Sequence, residues 1–283
     1  MAKLYVVATP IGNLGDLTPR AAEALAEADL IAAEDTRVTI KLLNHLSLSK
    51  PMISCHRHNE DARADSLIGR MLAEDLTVAL TCDAGTPAIS DPGSQLVRAA
   101  WEAGVEVIPV SGASATVTAL SACGFDAREF AFYGFLPREK KALREKLEAI
   151  RRTGIPVGVA YESPHRIVEL VRQMCETLPG CHLAVCCDLT KRFEKIYRGE
   201  CLRVLSELQS NPNVEKGEYC VVFDLSPLPP PPEQAARMPA EARLFMGLTE
   251  GKELDEAAQE ALSEGYARNE IYRARLKIKE LFE

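Results

Sequence analysis

"TCDAGTPAISDPGSQL", residues 81–96, decides how this chain reads. It continues the apolar run "TVALT" (77–81), then gathers two Asp, two Gly and two Pro before a helical pattern begins. A buried strand that ends in a polar loop and restarts as a helix is the repeating step of an open α/β sheet. Such sheets bind ligands in the crevice outside the carboxyl ends of their strands. In "DAG" (83–85), Gly85 has no side chain and so lets the backbone approach a ligand closely.

Working outward, "KLYVVATP" (3–10), "DLIAAED" (29–35), "MISC" (52–55), "TVALTCD" (77–83) and "VEVIPV" (105–110) read as short buried strands. Helical patterns separate them, such as 59–73 with Leu67, Ile68, Met71 and Leu72 on one side. Continuous apolar strands joined by helices imply a mostly parallel sheet covered on both faces. Beyond about residue 120 the texture shifts to "FAFYGF" (130–135), "PVGVAYE" (156–162), "HLAVCCDL" (182–189), "EKIYRGE" (194–200) and "GEYCVVFDL" (217–225). These have fewer intervening helices and predict a mixed sheet. The expected organisation is an N-terminal α/β domain over 1–117 and a second α/β domain over 118–225. A stiff Pro-rich linker (226–239) and a small helical module (240–283), helix–turn–helix in look around 263–270, complete it. Three strand ends carry the same helix-start grammar, a capping residue and then Pro: Thr18 with Pro19, Asp91 with Pro92, and Ser163 with Pro164.

Composition bounds the function. With 47% hydrophobic and 26% charged residues over 283 positions, the chain has ample core. No apolar run approaches bilayer length and Met1 leads directly into a strand pattern, so neither a signal peptide nor a membrane span is expected. Nine Cys, an odd number set mostly in apolar patterns, suit reduced core thiols in a cytoplasm. The net charge of −8 argues against uniform coating of nucleic acid. Charge is nevertheless uneven: residues 138–152 hold seven basic and three acidic side chains, and 266–279 hold five and one. Such runs read equally as solvated helix faces or as local contacts for a polyanion. G-x-G-x-x-G after the first strand, a P-loop and a G-x-S-x-G elbow are all absent. Cys181, His182, Cys186 and Cys187 form no expected metal site, because adjacent Cys on a strand face opposite ways.

"ATPIGNLGDLTPRA" (8–21), "AEDTR" (33–37), "HRHNE" (56–60), "DAGTPAISDPG" (83–93), "GFLPR" (134–138), "YESPHR" (161–166) and "LTKRFE" (189–194) occur in this order. Together they resemble the bacterial small-subunit ribosomal RNA 2′-O-methyltransferases, which modify a cytidine in the decoding region and belong to the tetrapyrrole-methylase fold class. The likeness runs from about residue 4 to 225 and extends to the helical tail. Cys82 stands where Ser is usual, Ser111 where Pro is usual, and "CDLTK" (187–191) replaces "RELTK".

The resemblance implies S-adenosylmethionine folded in a cleft between the two α/β domains. It assigns Asp83, Ala84, Gly85 and Ile89 to the cofactor loop, Ser114 and Ala115 to the next helix start, and Pro10 to one wall. Tyr161, Glu162 and Glu218 of "KGEY" (216–219) would close the other wall. The sulfonium methyl is already activated, so the enzyme must align a ribose hydroxyl and help remove its proton. Candidates for that work are Asp35, Arg37, His58, Lys191 and Glu194, and His58 alone has a suitable ordinary pKa. Asn13, Asn59, Arg138 and Arg166 are candidate RNA contacts. The implied partners are 16S rRNA within the small ribosomal subunit and a second copy of the chain, with no membrane and no metal.

Two other functions share these features. One is methylation of a tetrapyrrole or another small metabolite on the same fold, since fold does not fix function. The other is a non-catalytic RNA-binding assembly factor. The two basic segments and the linker-tethered tail favour RNA over a small metabolite. The cofactor motifs speak against a non-catalytic role. Salt-dependent RNA binding separates the first pair, and transfer of a labelled methyl group separates both enzymes from the third.

Overall fold

The computed structural model describes residues 1–57, 60–229 and 238–282, with the side chains of 60–62, 281 and 282 left aside. His58, Asn59 and most of the Pro-rich segment therefore lie outside the described residues. Two compact units account for the chain, Met1–Pro229 and Pro230–Glu283.

The first half alternates strand and helix: β1 (Lys3–Val7), α1 (Pro19–Glu27), β2 (Leu30–Ala33), α2 (Thr36–His45), β3 (Met52–Ser54), α3 (Glu60–Glu74), β4 (Thr77–Thr81), α4 (Ser94–Glu102), β5 (Glu106–Val110) and α5 (Ala115–Cys123). Its five strands are all parallel, in the order β3-β2-β4-β1-β5. Both faces are buried, one around Leu4, Leu80, Met71 and Leu96 and the other around Val7, Leu25, Ile31 and Leu43. This double burial explains why the strands are unbroken apolar runs rather than alternating ones.

The helices follow local rules where tertiary contacts permit. Thr18 caps α1 by accepting the Ala21 N–H at 3.1 Å, Pro19 occupies the first turn, and Ala21, Ala24 and Leu25 form the buried stripe. The other two expected starts are displaced. α4 begins at Ser94, because Gly93 at φ +127° and a bond from the Ala88 N–H to the Pro92 carbonyl fold 88–93 into a turn. The helix after "YESPHR", α7 (Ile167–Thr177), starts beyond Arg166, because the Ser163 hydroxyl turns back to Glu162 Oε1 at 3.3 Å and caps nothing. Leu72 also departs from expectation at 53% exposed. Ala64, Leu67, Ile68 and Met71 complete the buried stripe of α3 without it.

The second half comprises β6 (Phe130–Phe135), α6 (Lys140–Arg152), β7 (Val157–Glu162), α7, β8 (His182–Cys187), β9 (Lys195–Glu200), α8 (Cys201–Gln209) and β10 (Tyr219–Asp224). Its sheet is mixed, ordered β6-β7-β10-β8-β9, with only the β6–β7 pair parallel. One face packs on α6, α7 and α8 through residues such as Leu147, Val171 and Leu208. The other carries α5, whose Ala119, Leu120 and Cys123 meet Val159, Cys186 and Val222. α5 leaves the first sheet at β5 and buries its stripe on the second, which joins the two halves into one unit. Ile11, from the loop after β1, enters the same cluster. Cys186 and Cys187 contribute to opposite faces of this sheet, and all nine Cys are free and buried.

The second unit has its own core. α9 (Ala240–Thr249), α10 (Leu254–Ser263) and α11 (Arg268–Phe282) pack around Leu244, Ala257, Ala261, Ile271 and Ile278. Among the described residues no helix is long and apolar enough to cross a membrane.

Candidate active site

Three neighbouring strands of the first sheet, β4, β1 and β5, end at one edge, and their loops build a site. Turn 82–85 is tied to the chain after β1 by reciprocal bonds, Thr9 N–H to the Gly85 carbonyl at 2.8 Å and Gly85 N–H to the Thr9 carbonyl at 3.0 Å. The backbone closes this turn only because Gly85 adopts φ +84°. Cys82, where Ser is usual in the resembling family, places its thiol 3.3 Å from the Gly85 carbonyl, a contact a hydroxyl could equally make. Burial pushes that thiol far above its ordinary pKa, so it serves as a buried hydrogen-bond donor and not as a nucleophile.

Beside this turn lies a cleft of 640 Å³, within the range of small-molecule sites. Ala84, Gly85 and Ile89 form one side, and Ser114 and Ala115 open α5 beneath it. The first N–H groups of α5, like those of any helix, have no intrahelical acceptor, and the Ser114 side chain does not cap them. The second sheet supplies Tyr161, Glu162 and Glu218. Tyr161 OH and Thr116 Oγ1 lie 2.9 Å apart, linking β7 to the start of α5. An aromatic wall of Phe130, Phe132 and Phe135 comes from β6, the edge strand of its sheet.

Glu162 has the most constrained polar group in the cleft. Its side chain is 1% exposed; Oε1 accepts the Ser163 N–H at 2.7 Å. Oε2 lies 3.2 Å from Arg166 Nη2, an ion pair that lacks hydrogen-bond geometry and leaves that oxygen without a donor. Arg166 in turn donates to the Pro137 carbonyl at 3.0 Å. It positions Glu162 and the loop after β6 rather than facing the cleft.

A second recess, of 480 Å³, opens on the other side of the same turn. Glu34, Asp35, Arg37, Ser54, His56 and Asp83 line it. Asp83 thus belongs to the recess and Ala84 to the cleft. Asp35 accepts its own helix N–H from Arg37 and pairs with the Arg37 guanidinium at 2.6 Å, which holds its carboxyl down at about 2. Asp83 differs: burial raises its pKa, with the Asp35 charge adding and the Asp35 N–H opposing. Burial likewise raises Glu34 and Asp91, and in both the neighbouring Asp83 carboxylate adds to the effect.

Other expected residues sit at the margin. Pro10 lies between bridged Thr9 and cleft-lining Ile11 without lining the cleft itself. Lys191 donates to Asp188 Oδ1 at 3.0 Å and to Glu218 Oε2 at 2.7 Å, so its ammonium is committed to two carboxylates. Burial alone would lower the Lys191 pKa, but these two bonds outweigh it and raise the value. Asp188 fits there because Gly217 opposes it; a Cβ at 217 would lie 2.5 Å from Asp188 Oδ2. Glu194 accepts the Thr190 N–H, and the Asn13 N–H donates to Thr190 Oγ1 at 3.1 Å. Arg138 is exposed, three residues beyond Phe135. The structure does not bring these last three together with the cleft lining.

Several lining residues escaped the sequence reading. The Phe130–Phe135 wall was legible only as a strand. His56 stands within "HRHNE", where nothing in the spacing signals that it faces the same recess as Asp83. Glu34 and Asp91 meet Asp83 only because β2 pairs with β4 and the 88–93 turn folds back.

Comparison with known proteins places this geometry. The family model for tetrapyrrole (corrin/porphyrin) methylases matches residues 3–202. A ribosomal RNA small subunit methyltransferase I from Halalkalibacterium halodurans is 45% identical over 221 residues, covering 78% of this chain and 75% of its own. Its namesake from Synechocystis sp. is 38% identical over 283 residues, covering 98% and 99%. Among solved structures, a Thermus thermophilus uroporphyrin-III C-methyltransferase complexed with S-adenosyl homocysteine superposes with a TM-score of 0.55 at 16% identity, covering 78% of this chain and 97% of its own. A diphthine synthase gives 0.58 at 16%, covering 79% and 90%. At that identity the two structures speak for the fold alone. The chain belongs to the tetrapyrrole methylase family and, within it, to the ribosomal RNA small subunit methyltransferases I.

Proposed function

We propose that the chain uses S-adenosylmethionine to methylate the ribose 2′-hydroxyl of a cytidine in the decoding region of 16S rRNA. It works in the cytoplasm, as a homodimer, on the small ribosomal subunit. The observation that carries this reading is the likeness, over nearly the full length of both chains, to a relative named for small-subunit RNA methylation.

The cleft fits the cofactor class. It has the volume of a small-molecule site, an apolar aromatic wall, a glycine turn with φ +84°, an uncapped helix start and one buried carboxylate oxygen without a donor. The N–H groups opening α5 suit a carboxylate, and Glu162 Oε2 suits an ammonium or hydroxyl donor. Ala84 and Gly85 of the turn line the cleft directly. Bound S-adenosylmethionine supplies a methyl group activated by its sulfonium. The protein's own contribution is then alignment and exclusion of water, for which Phe130, Phe132, Phe135 and Ile89 provide the apolar rim.

The recess beyond Asp83 suits the acceptor nucleotide. Arg37 and His56 present donors there, and Asp83 offers a carboxyl whose affinity for a proton is raised by burial. His58, already a candidate, would accept the ribose proton; Asp83, expected in the cofactor loop, joins it as a second candidate because it lines this recess, with Asn59 and Asn13 beside the RNA. Lys191 positions Glu218 and Asp188, and Glu194 shapes the same loop.

The test is transfer of labelled methyl from S-adenosylmethionine to isolated small subunits and to protein-free 16S rRNA, followed by mapping of ribose methylation. Label in a single decoding-region cytidine is expected. Label in a base, or in a tetrapyrrole and not in RNA, would overturn the reading.

A further inference from the structure

Loop 188–194, beside the cleft, is tied down along its length. Two non-glycine residues, Asp188 at φ +51° and Thr190 at φ +67°, hold left-handed backbone there, a conformation that L side chains disfavour. The surroundings fix both. Asp188 N–H donates to the Glu218 carbonyl, Lys191 N–H to the Asp188 carbonyl and Glu194 N–H to the Lys191 carbonyl. Glu194 receives the Thr190 N–H, and Thr190 Oγ1 receives the Asn13 N–H from the loop after β1. The Lys191 stem packs over Gly12, where a Cβ would lie 2.5 Å from its Cγ.

A loop so thoroughly tied down nevertheless presents Phe193 with 78% of its surface exposed. The Arg192 guanidinium lies over the ring, 5.5 Å from its centroid, and leaves the opposite face open. Four residues earlier Leu189 lines the cleft, and Lys191 binds Glu218, which also lines it. The local charge favours a polyanion. Arg192 and Lys195 are exposed, whereas the acidic groups of the segment, Asp188 and Glu194, are engaged by Lys191 and by the Thr190 N–H. An exposed aromatic ring on a fixed backbone, backed by a guanidinium and with cations alongside, is the chemistry that receives an unstacked base and its phosphates.

We infer that Arg192 and Phe193 form a stacking platform for an unpaired nucleotide of the RNA substrate flanking the one that enters the recess. This rests on the RNA-methylation reading and adds a contact to it. Phe193 carries the base and Arg192 the adjoining phosphate; neither touches the reacting atoms.

The experiment uses the full chain and small ribosomal subunits from cells lacking the protein, with single-turnover methyl transfer and binding measured for Phe193→Leu, Phe193→Trp and Arg192→Ala. Phe193→Leu keeps apolar bulk and removes the π face, so half-saturating subunit concentration should rise at least about fivefold, the lower end of one base–aromatic stack. Phe193→Trp should restore wild-type behaviour. Placed in a Trp101→Phe background, its fluorescence should be quenched by an oligocytidine. Arg192→Ala should weaken binding and reduce the salt slope by about one. Cofactor affinity should not change in any variant. Wild-type RNA binding by Phe193→Leu overturns the inference. So does a change in sedimentation, which would make this face a contact between copies. Wild-type protein that transfers no methyl group to any subunit would instead defeat the RNA reading itself.

Discussion

Replacing Gly85 separates backbone strain from occupancy of the cleft. At φ +84° a side chain is strained whatever the space around it, and about 1–2 kcal/mol is the ordinary size of that strain. A Cβ at 85 would lie 3.4 Å from Ile11 Cγ2 and 3.8 Å from the Ala113 carbonyl, so a methyl group fits with little displacement. Gly85→Ala should therefore lower stability by that amount while leaving most cofactor affinity. For a unit the size of Met1–Pro229, this is a fall in Tm of roughly 2–8 °C. Gly85→Leu bears the same backbone cost, but its extra carbons enter the space between the 82–85 turn and Ile11 that lines the cleft. It should reduce S-adenosylmethionine affinity at least about 100-fold, about 2.7 kcal/mol. Thermal unfolding with and without cofactor gives the first quantity, and titration calorimetry the second. A folded Gly85→Leu protein with wild-type affinity would refute the placement of the cofactor at this turn.

Further outcomes follow from other parts of the molecule. Lys191→Met removes the cation between Asp188 and Glu218, so Tm and cofactor affinity should fall together, checked in the same titrations. Preserved stability with a pure loss of methyl transfer would instead make Lys191 a direct contact of the substrate. Asp91 has its carboxyl pKa raised by burial and by Asp83. A raised carboxyl stabilises the fold below the unfolded pKa and loses that contribution as pH climbs through the folded value. Asp91→Asn should therefore raise Tm near pH 7.5, with the gain vanishing as pH falls below about 4. A gain that persists at low pH would refute the electrostatic cause. Ending the chain at Pro229 should leave cofactor affinity unchanged, since Pro230–Glu283 has its own core, and should weaken subunit binding with a shallower salt dependence. His58→Ala should slow single-turnover transfer at least about tenfold, about 1.4 kcal/mol, with cofactor affinity intact.

What the sequence disclosed depended on whether the cause was local. The strands of the first sheet appeared as apolar runs because both of its faces are covered, and most lay within a residue or two of their observed bounds; β1 ends three residues before the reading of 3–10. Thr18 and Pro19 started α1 as local capping chemistry demands. The same grammar misled at Asp91 and Ser163, where the Gly93 backbone and the Glu162 carboxylate redirect the residues that would have capped. The site divides in the same way. Ala84, Gly85, Ile89, Ser114, Ala115, Tyr161, Glu162 and Glu218 stand in motifs at strand ends and do line the cleft. The aromatic wall was hidden because "FAFYGF" reads as ordinary core, and only its place at the sheet edge turns Phe130, Phe132 and Phe135 toward the opening. The raised carboxyls of Glu34, Asp83 and Asp91 were hidden as well, since their proximity comes from strand order and not from spacing along the chain.

If this cleft directs methylation to one ribose of the small-subunit RNA, the modification must depend on the chain and on the turn at Gly85. Mapping ribose methylation on that RNA from cells lacking the protein, then supplied with wild-type or Gly85→Leu chain, tests it most directly. One decoding-region cytidine should lose its 2′-O-methyl group in the deletion, regain it with the wild-type chain and stay unmodified with Gly85→Leu. An unchanged methylation map in the deletion, or full restoration by Gly85→Leu, would contradict it.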